Sequence, residues 1–481
     1  MPSQASPLDQ ITLIGSLKAK KVPHKLAILP NLPDYRTYNI RLPYKPAIIV
    51  LPENEFHIQA AVLCASKHGI KVQAKSGGHS YASFSNGGVD GAMMIDLQNL
   101  QNIKLDTTLD IAKVGGGVRL GNLALGLYEQ GKTAVSHGTC AGVGIGGHFT
   151  HGGYGFSSRA WGLAMDHIVG LDVVLADGSF VRANKDNNQD IYWGMRGAAD
   201  SLGIVVNFYL ETHQAPETVV NWHFDIPDVA KSLEGYILAF EHVQSFSQNS
   251  SIVDRNIGFG MNIGARGFCV SGTYFGTMEK FNAVIVPELL RGLPKPARTD
   301  IKETDWLTSL KMLNSGNSLN ITNPYTERSN FFAKSVTVPE PGMSRQALES
   351  YLTYVLEKGA NAPVHWFALV DLYGGVDSQI NIKDEKFAAF QHRGDLWVAQ
   401  HYGYIDDEAN FPDEGIEFIN GLNEAMVKGL PKYGAYENYV DPSLTRKEAH
   451  ELYYGPTITE RLKGIKEKID PRNIFANPQS I

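Results

Sequence analysis

Residues 135–156, VSHGTCAGVGIGGHFTHGGYGF, constrain this chain more than any other stretch, because eight glycines and one cysteine fall within them. Glycine has no Cβ, so its backbone can lie against a flat or anionic ligand and adopt dihedrals that other residues avoid. A run this dense makes a poor helix and a poor strand, and it predicts a segment that wraps a ligand. A second cluster, Lys75-Ser-Gly-Gly-His-Ser-Tyr81, lies upstream. It offers an imidazole, His79, and the longer run offers a thiol, Cys140. Two glycine-rich loops, each with one reactive side chain, predict a large planar cofactor held from two sides.

The bulk composition narrows the class. A length of 481 residues exceeds what one hydrophobic core usually serves, so two domains are expected. A net charge of −7 argues against a general nucleic-acid binder, since phosphate contacts need a basic field. Cys64, Cys140 and Cys269 are too few for a disulfide framework. Cys64 and Cys269 read as inert buried thiols. No CxxC or HExxH pattern is present, and His137, His148 and His151 show no carboxylate or thiol partner in sequence, so no metal is expected. No apolar run reaches the ~18 residues a transmembrane helix needs. The first twenty residues do not read as a signal peptide, which favours a cytoplasmic protein, or a secreted one if a leader has been removed.

Short elements alternate in the first half. Ala47–Pro52, Lys71–Ala74, Met93–Leu97, Ile111–Val114 and Ile204–Leu210 read as strands, and Asn54–His68 and Leu120–Glu129 as helices, the first capped by Asn54. Ile168–Leu175 and Ser179–Arg182 flank Asp177-Gly178 and read as a hairpin. Gln214-Ala-Pro216 marks a boundary. Beyond it, up to Leu430, the pattern predicts longer helices and few strands, with Val364–Leu372 the one clear candidate. Thr457–Lys468 reads as an amphipathic helix stopped by Asp470-Pro471, in a tail expected to pack back on the first region.

Several motifs together carry a resemblance: KSGGHSY at 75–81, SHGTCAGVGIGGH at 136–148, HGGYG at 151–155, DVVLADG at 172–178, YENYVD at 436–441 and DPRNIF at 470–475. The chain resembles the berberine-bridge-enzyme-like flavoproteins of the vanillyl-alcohol-oxidase, or PCMH-type, superfamily, and within them fungal carbohydrate oxidases with doubly attached FAD. The resemblance implies an α+β fold: a PCMH-type FAD-binding domain of two subdomains (42–214), a substrate domain with an antiparallel sheet flanked by helices (215–430), and a berberine-bridge-like tail (431–481), after an N-terminal segment 1–41. It implies FAD joined at its 8α-methyl to His79 and at C6 to Cys140. By the same resemblance Ser76, Gly77, Gly78, Ser80, Gly138, Thr139, Gly142, Val143, Gly146, Gly147, His148, Gly153, Gly155, Ile204, Val205 and Asn438 surround the cofactor. Glycine N–H groups suit the diphosphate. The flavin supplies redox chemistry and the protein supplies orientation.

Tyr439 matches the family's catalytic tyrosine and Asp371 the aspartate that assists it. A phenol with an ordinary pKa of ~10 is a poor base at neutral pH, so a carboxylate hydrogen-bonded to it would help, whereas one merely nearby would hinder. Gln400 and Tyr81 match substrate contacts. Val143 matches a position where valine goes with oxygen access, which implies an oxidase that makes hydrogen peroxide. Two departures stand out. Asp200 lies where relatives often carry glycine and would repel a diphosphate unless it points away. Leu369 replaces a polar sugar contact, while His365, Trp366 and Tyr373 are expected to leave the pocket aromatic. The expectation is therefore a monomeric FAD-linked oxidase acting on an alcohol centre of a small, partly apolar metabolite of fungal secondary metabolism, using O2, with no nucleic-acid or membrane partner. The alternative is a carbohydrate oxidase that turns a reducing-end sugar into its lactone.

Overall fold

The computed structural model describes residues 7–26, 36–406 and 409–481; residues 1–6 and 27–35 of the expected N-terminal segment lie outside them. Three larger sheets organise the described residues, beside a two-stranded pair of Thr133–Ala134 with His213–Gln214. The first has β1 (His24–Leu26), β2 (Ile48–Val50), β3 (Val72–Lys75) and β4 (Met93–Asp96) in the order β1-β2-β4-β3. β2 and β3 each pair parallel with β4, and β1 closes the edge antiparallel. The parallel arrangement buries these strands, which explains why Ile48–Val50 and Met93–Asp96 are buried throughout. Helix Glu55–Lys67 crosses between β2 and β3, and the Asn54 side chain caps it by accepting from the His57 N–H.

The second sheet comprises β5 (Ile103–Asp106), β6 (Ile111–Gly115), β7 (Ile168–Val174), β8 (Phe180–Asn184) and β9 (Ile204–Glu211), antiparallel in the order β5-β6-β9-β7-β8. The Asp177-Gly178 hairpin is present, with Gly178 at φ +80. The glycine run is not wholly loop: Ile145–Thr150 forms a short helix because Ile145 and Phe149, one turn apart, are both buried.

The third sheet departs from the strand-poor pattern read between 215 and 430. Seven antiparallel strands lie there: β10 (Val219–Asp225), β11 (Ile257–Gly264), β12 (Gly267–Tyr274), β13 (Arg298–Thr304), β14 (Asn330–Pro339), β15 (His365–Leu372) and β16 (Asp395–Ile405), in the order β13-β10-β12-β11-β15-β16-β14. Helices Leu233–Ser247, Arg345–Gly359 and Asp413–Val427 share one apolar core with this sheet. Alternate residues of β15 divide between two faces. Ala368, Val370 and Leu372 join that core, while Phe367, Leu369 and Asp371 face a cavity.

The C-terminal tail packs on the first region. Helix Gly455–Ile469 sets Ile458, Leu462 and Ile465 in the core that holds Trp193 and Met195. Asp470 then accepts from the N–H groups of Ile474 (2.7 Å) and Phe475 (2.9 Å) and pairs with Lys466 (2.8 Å). This turn brings Phe475 beside Val72 of β3.

Candidate active site

The two glycine loops meet backbone to backbone. A Cβ on Gly77 would lie 2.2 Å from the Gly144 nitrogen, and one on Gly144 would lie 2.0 Å from the Gly77 nitrogen, so neither position tolerates a side chain. Ser76 Oγ accepts from the Gly146 N–H (3.1 Å), and Arg119 Nη1 donates to the carbonyls of Gly77 (2.8 Å) and Gly142. Beside this junction opens a cavity of about 920 Å³, within the size range of ligand sites. Its wall includes His79, Cys140, Ser76, Gly77, Gly78, Ser80, Gly138, Thr139, Val143, Gly147, His148, Gly155 and Asn438. Five expected contacts do not line it. The Cβ directions of Gly142, Gly146 and Gly153 are filled by Tyr325, Ser76 and Ala164, and Ile204 and Val205 are buried at the start of β9.

His79 is built as a neutral nucleophile. Its ring stacks on Tyr38 (centroids 4.3 Å apart, planes at 26°), and Tyr325 lies 5.2 Å away. Burial, with Arg119 and Arg328 nearby, pushes its pKa down to about 3. Its Nε2 is buried without a partner, and the residue lines the cavity. Cys140 is exposed to the same cavity as a free thiol. Burial at the cavity wall raises its pKa, which keeps the thiol protonated at neutral pH. A flat ring edge placed between these two groups would meet a nitrogen lone pair and a sulfur, and the residues fit FAD.

The catalytic candidates converge on the same space. Tyr439, from the turn Glu437–Tyr439, and Asp371, from β15, both line the cavity. Among the described residues no hydrogen bond joins them, and neither the phenol nor the carboxylate has another partner. The bonded pair implied by resemblance is therefore absent. Instead burial, then the Asp371 charge, pushes the Tyr439 phenol well above 10, while burial raises Asp371 to about 7. A Cβ on Gly260 would sit 2.3 Å from Asp371 Oδ1, so that glycine makes room for the carboxylate. Tyr81 stacks on Tyr439 (5.7 Å, 16°), and its hydroxyl accepts from Gln400 Nε2 (2.7 Å). Both Tyr81 and Gln400 line the cavity.

The cavity floor is the open face of the third sheet. Register puts Cys269, Asn262, Leu369 and Gln400 in one row. Cys269 thus belongs to the site, contrary to its reading as an inert core thiol. The aromatic lining is also not the expected one: Tyr373 is buried, Trp366 Nε1 donates to the Gly359 carbonyl, and His365 is exposed outside the cavity. Phe367 and Tyr402, stacked at 4.9 Å, take that place.

The histidines of the glycine run mainly hold backbone. His137 Nδ1 meets the Gly138 carbonyl (2.7 Å), and His148 Nε2 accepts from the Gly138 N–H (2.9 Å). His151 does have carboxyl partners, against the expectation: its Nε2 lies 3.5 Å from Asp200 and 3.7 Å from Glu437. Its Nδ1 faces the Gly147 carbonyl (2.9 Å), so both ring nitrogens face acceptors and the ring is a cation. Burial opposes that charge, but Glu437 and Asp200 outweigh it and raise the pKa to about 9; burial also raises Glu437 to about 8, so Asp200, held against burial below its ordinary value by His151, is the carboxylate that balances the cation at neutral pH. Asp200 also accepts from Asn477 Nδ2 (2.6 Å). These two contacts answer the repulsion expected of Asp200, because its charge is compensated inside the wall. Asp200, Glu437, Asn477 and Gln479 line the cavity; the sequence singled out Asp200, while only the YENYVD and DPRNIF motifs pointed to the neighbourhood of the other three.

Comparison with known proteins identifies the family. Residues 46–184 match the FAD binding domain family, and residues 435–481 match the berberine and berberine-like family. A xylooligosaccharide oxidase of Thermothelomyces thermophilus is 36% identical over 97% of this chain and 93% of its own. An FAD-linked oxidoreductase of Metarhizium anisopliae is 32% identical over 92% of this chain and 86% of its own. A solved glucooligosaccharide oxidase from Acremonium strictum, described as holding 6-S-cysteinyl, 8α-N1-histidyl FAD, superposes with a TM-score of 0.91 at 32% identity, covering 98% of both chains. No helix among the described residues is long and apolar enough to cross a membrane. The chain belongs to the berberine-bridge-enzyme-like family of FAD-linked oxidoreductases.

Proposed function

We propose that this enzyme is an oxidase that carries FAD on His79 and Cys140 and oxidises an alcohol carbon of a small, partly apolar metabolite. One observation carries this reading: the unpartnered Tyr439 phenol and Asp371 carboxylate open onto the cavity that His79 and Cys140 also line. FAD held there would supply a two-electron acceptor for the carbinol hydride, with O2 as the final acceptor and hydrogen peroxide as the product. The protein handles the proton. Asp371, with a pKa of about 7, can accept it at neutral pH. Tyr439 keeps its own proton and orients the substrate oxygen. Leu369, Phe367 and Met261 give the floor an apolar stretch. That surface suits a ring system better than a row of hydroxyls.

A reducing-end sugar is the second reading. It is supported by the Gln400–Tyr81 hydrogen bond and by Asn262, His223 and Ser271 on the same floor, as well as by the names of relatives. Anaerobic titration of the flavin absorbance decides. Bleaching by hydrophobic alcohols, with sugars inert, supports the first reading. Bleaching by xylobiose or cellobiose alone replaces it with the second.

A further inference from the structure

The three residues before Tyr439 each grip the same glycine-rich segment. Tyr436 is buried, and its Oη accepts from two successive backbone N–H groups, Gly153 (2.8 Å) and Tyr154 (3.0 Å). Those two donors converge because Gly152 and Gly153 take φ +110 and +85, a nest-like turn closed to ordinary side chains. Glu437 approaches His151 at 3.7 Å from one side and accepts from the Tyr454 hydroxyl on the other. Asn438 Nδ2 lies 3.2 Å from the His148 carbonyl and 3.0 Å from the His151 carbonyl, so its amide is engaged with protein. The Tyr436 ring then meets the Tyr439 ring edge-on, at 5.1 Å and 90°.

The geometry points to Tyr436, Glu437 and Asn438 forming a clamp on residues 147–154, with Tyr436 and His151 as positioning residues that set the Tyr439 phenol relative to the cofactor loop. The inference rests on the role given to Tyr439 above. It accounts for a feature the catalytic pair leaves open. The Tyr439 N–H donates to the Tyr436 carbonyl (2.9 Å), but its hydroxyl has no partner among the described residues, so the hydroxyl is placed by its backbone and by its neighbours' rings. His151 contributes the charged part of the clamp. Its Nε2 meets Glu437 and Asp200 while its Nδ1 is tied to Gly147 within the cofactor loop. A positioned phenol speeds the chemical step without adding uniform binding energy, so its loss should appear in the rate constant and not in substrate affinity.

Tyr436→Phe removes one oxygen and keeps the ring. His151→Asn keeps a donor near Gly147 and loses the contact with Glu437. The probe is whichever of xylobiose, cellobiose and cinnamyl alcohol bleaches the wild-type flavin fastest under anaerobic stopped flow. Each variant is expected to lose tenfold or more in the limiting reduction rate constant. The substrate dissociation constant should stay within twofold and the flavin should remain acid-stable. The double variant should be little worse than the poorer single one. Rate constants within twofold of wild type, effects that multiply, or loss of covalent flavin in both variants would overturn the clamp. Tyr439→Phe separates the two levels: an active Tyr439→Phe refutes the catalytic reading, whereas an inactive one beside near-normal clamp variants refutes the positioning alone.

Discussion

Asp371 makes the sharpest test of how this site moves a proton. With a pKa of about 7, its carboxyl is ionised in about half of the molecules at pH 7 and in about one in ten at pH 6. If that carboxylate receives the substrate proton, the limiting rate of flavin reduction falls about tenfold per unit below pH 7 and levels off above it. A phenol acting alone behaves differently. With a pKa of 10 or more it is ionised in at most about one molecule in a thousand at pH 7, and its rate would climb past pH 9 without a plateau. Asp371→Asn should therefore cost roughly 100- to 1,000-fold at pH 7 and shift the profile to a steady rise with pH. Anaerobic stopped flow from pH 5 to pH 10 gives both profiles. The same plateau near pH 7 in the variant would refute the assignment. A stability signature accompanies it. The folded carboxyl binds its proton more tightly than the unfolded one, so its contribution is complete below the unfolded pKa of 3.8 and is lost as pH rises through about 7. The loss is up to about 4 kcal/mol, at 1.36 kcal/mol per unit, and Asp371→Asn should abolish it in melts compared at pH 5 and pH 8.

Other substitutions probe separate parts of the account. Tyr439→Phe should retain acid-stable flavin and lose about 100-fold or more in flavin reduction, read by stopped flow. Gly260→Ala places a methyl 2.3 Å from Asp371 Oδ1 and should displace the carboxylate, lowering the rate with little change in the far-ultraviolet dichroism. Asp470→Ala leaves the buried Lys466 ammonium without its carboxylate and should cost about 3–5 kcal/mol in urea unfolding. Val143→Leu, beside Cys140 in the cavity wall, should slow reoxidation of the reduced enzyme in air while sparing its reduction.

What the sequence disclosed followed from how local each signal was. The glycine loops, the Asn54 cap and the Asp177-Gly178 hairpin depend on neighbours in the chain, and their residues announce them. The third sheet was hidden because one of its faces lines a cavity. Along β11, Gly260 and Asn262 interrupt the apolar pattern that would mark a strand, and β13, an edge strand reading RTDIKET, is largely exposed. The His151 cluster was invisible for another reason. Asp200 and Glu437 reach His151 from distant parts of the chain, and no spacing rule connects them. The absent bond between Tyr439 and Asp371 is of the same kind. The resemblance named both residues, but only the fold shows that they share a cavity without touching, and for that reason the proposal gives the basic role to the carboxylate. The cavity's aromatic wall was displaced by a simpler effect: Trp366 and Phe367 are adjacent on β15, so they point to opposite faces, and the sheet chose Phe367.

The central claim is that His79 and Cys140 grip one flavin from two sides of the cavity. Mass spectrometry of acid-precipitated protein, before and after proteolysis, tests it directly. The account predicts an intact mass raised by one FAD, with the peptides around His79 and Cys140 recovered together on the flavin. Flavin released into the acid supernatant, or both peptides recovered unmodified, would contradict it.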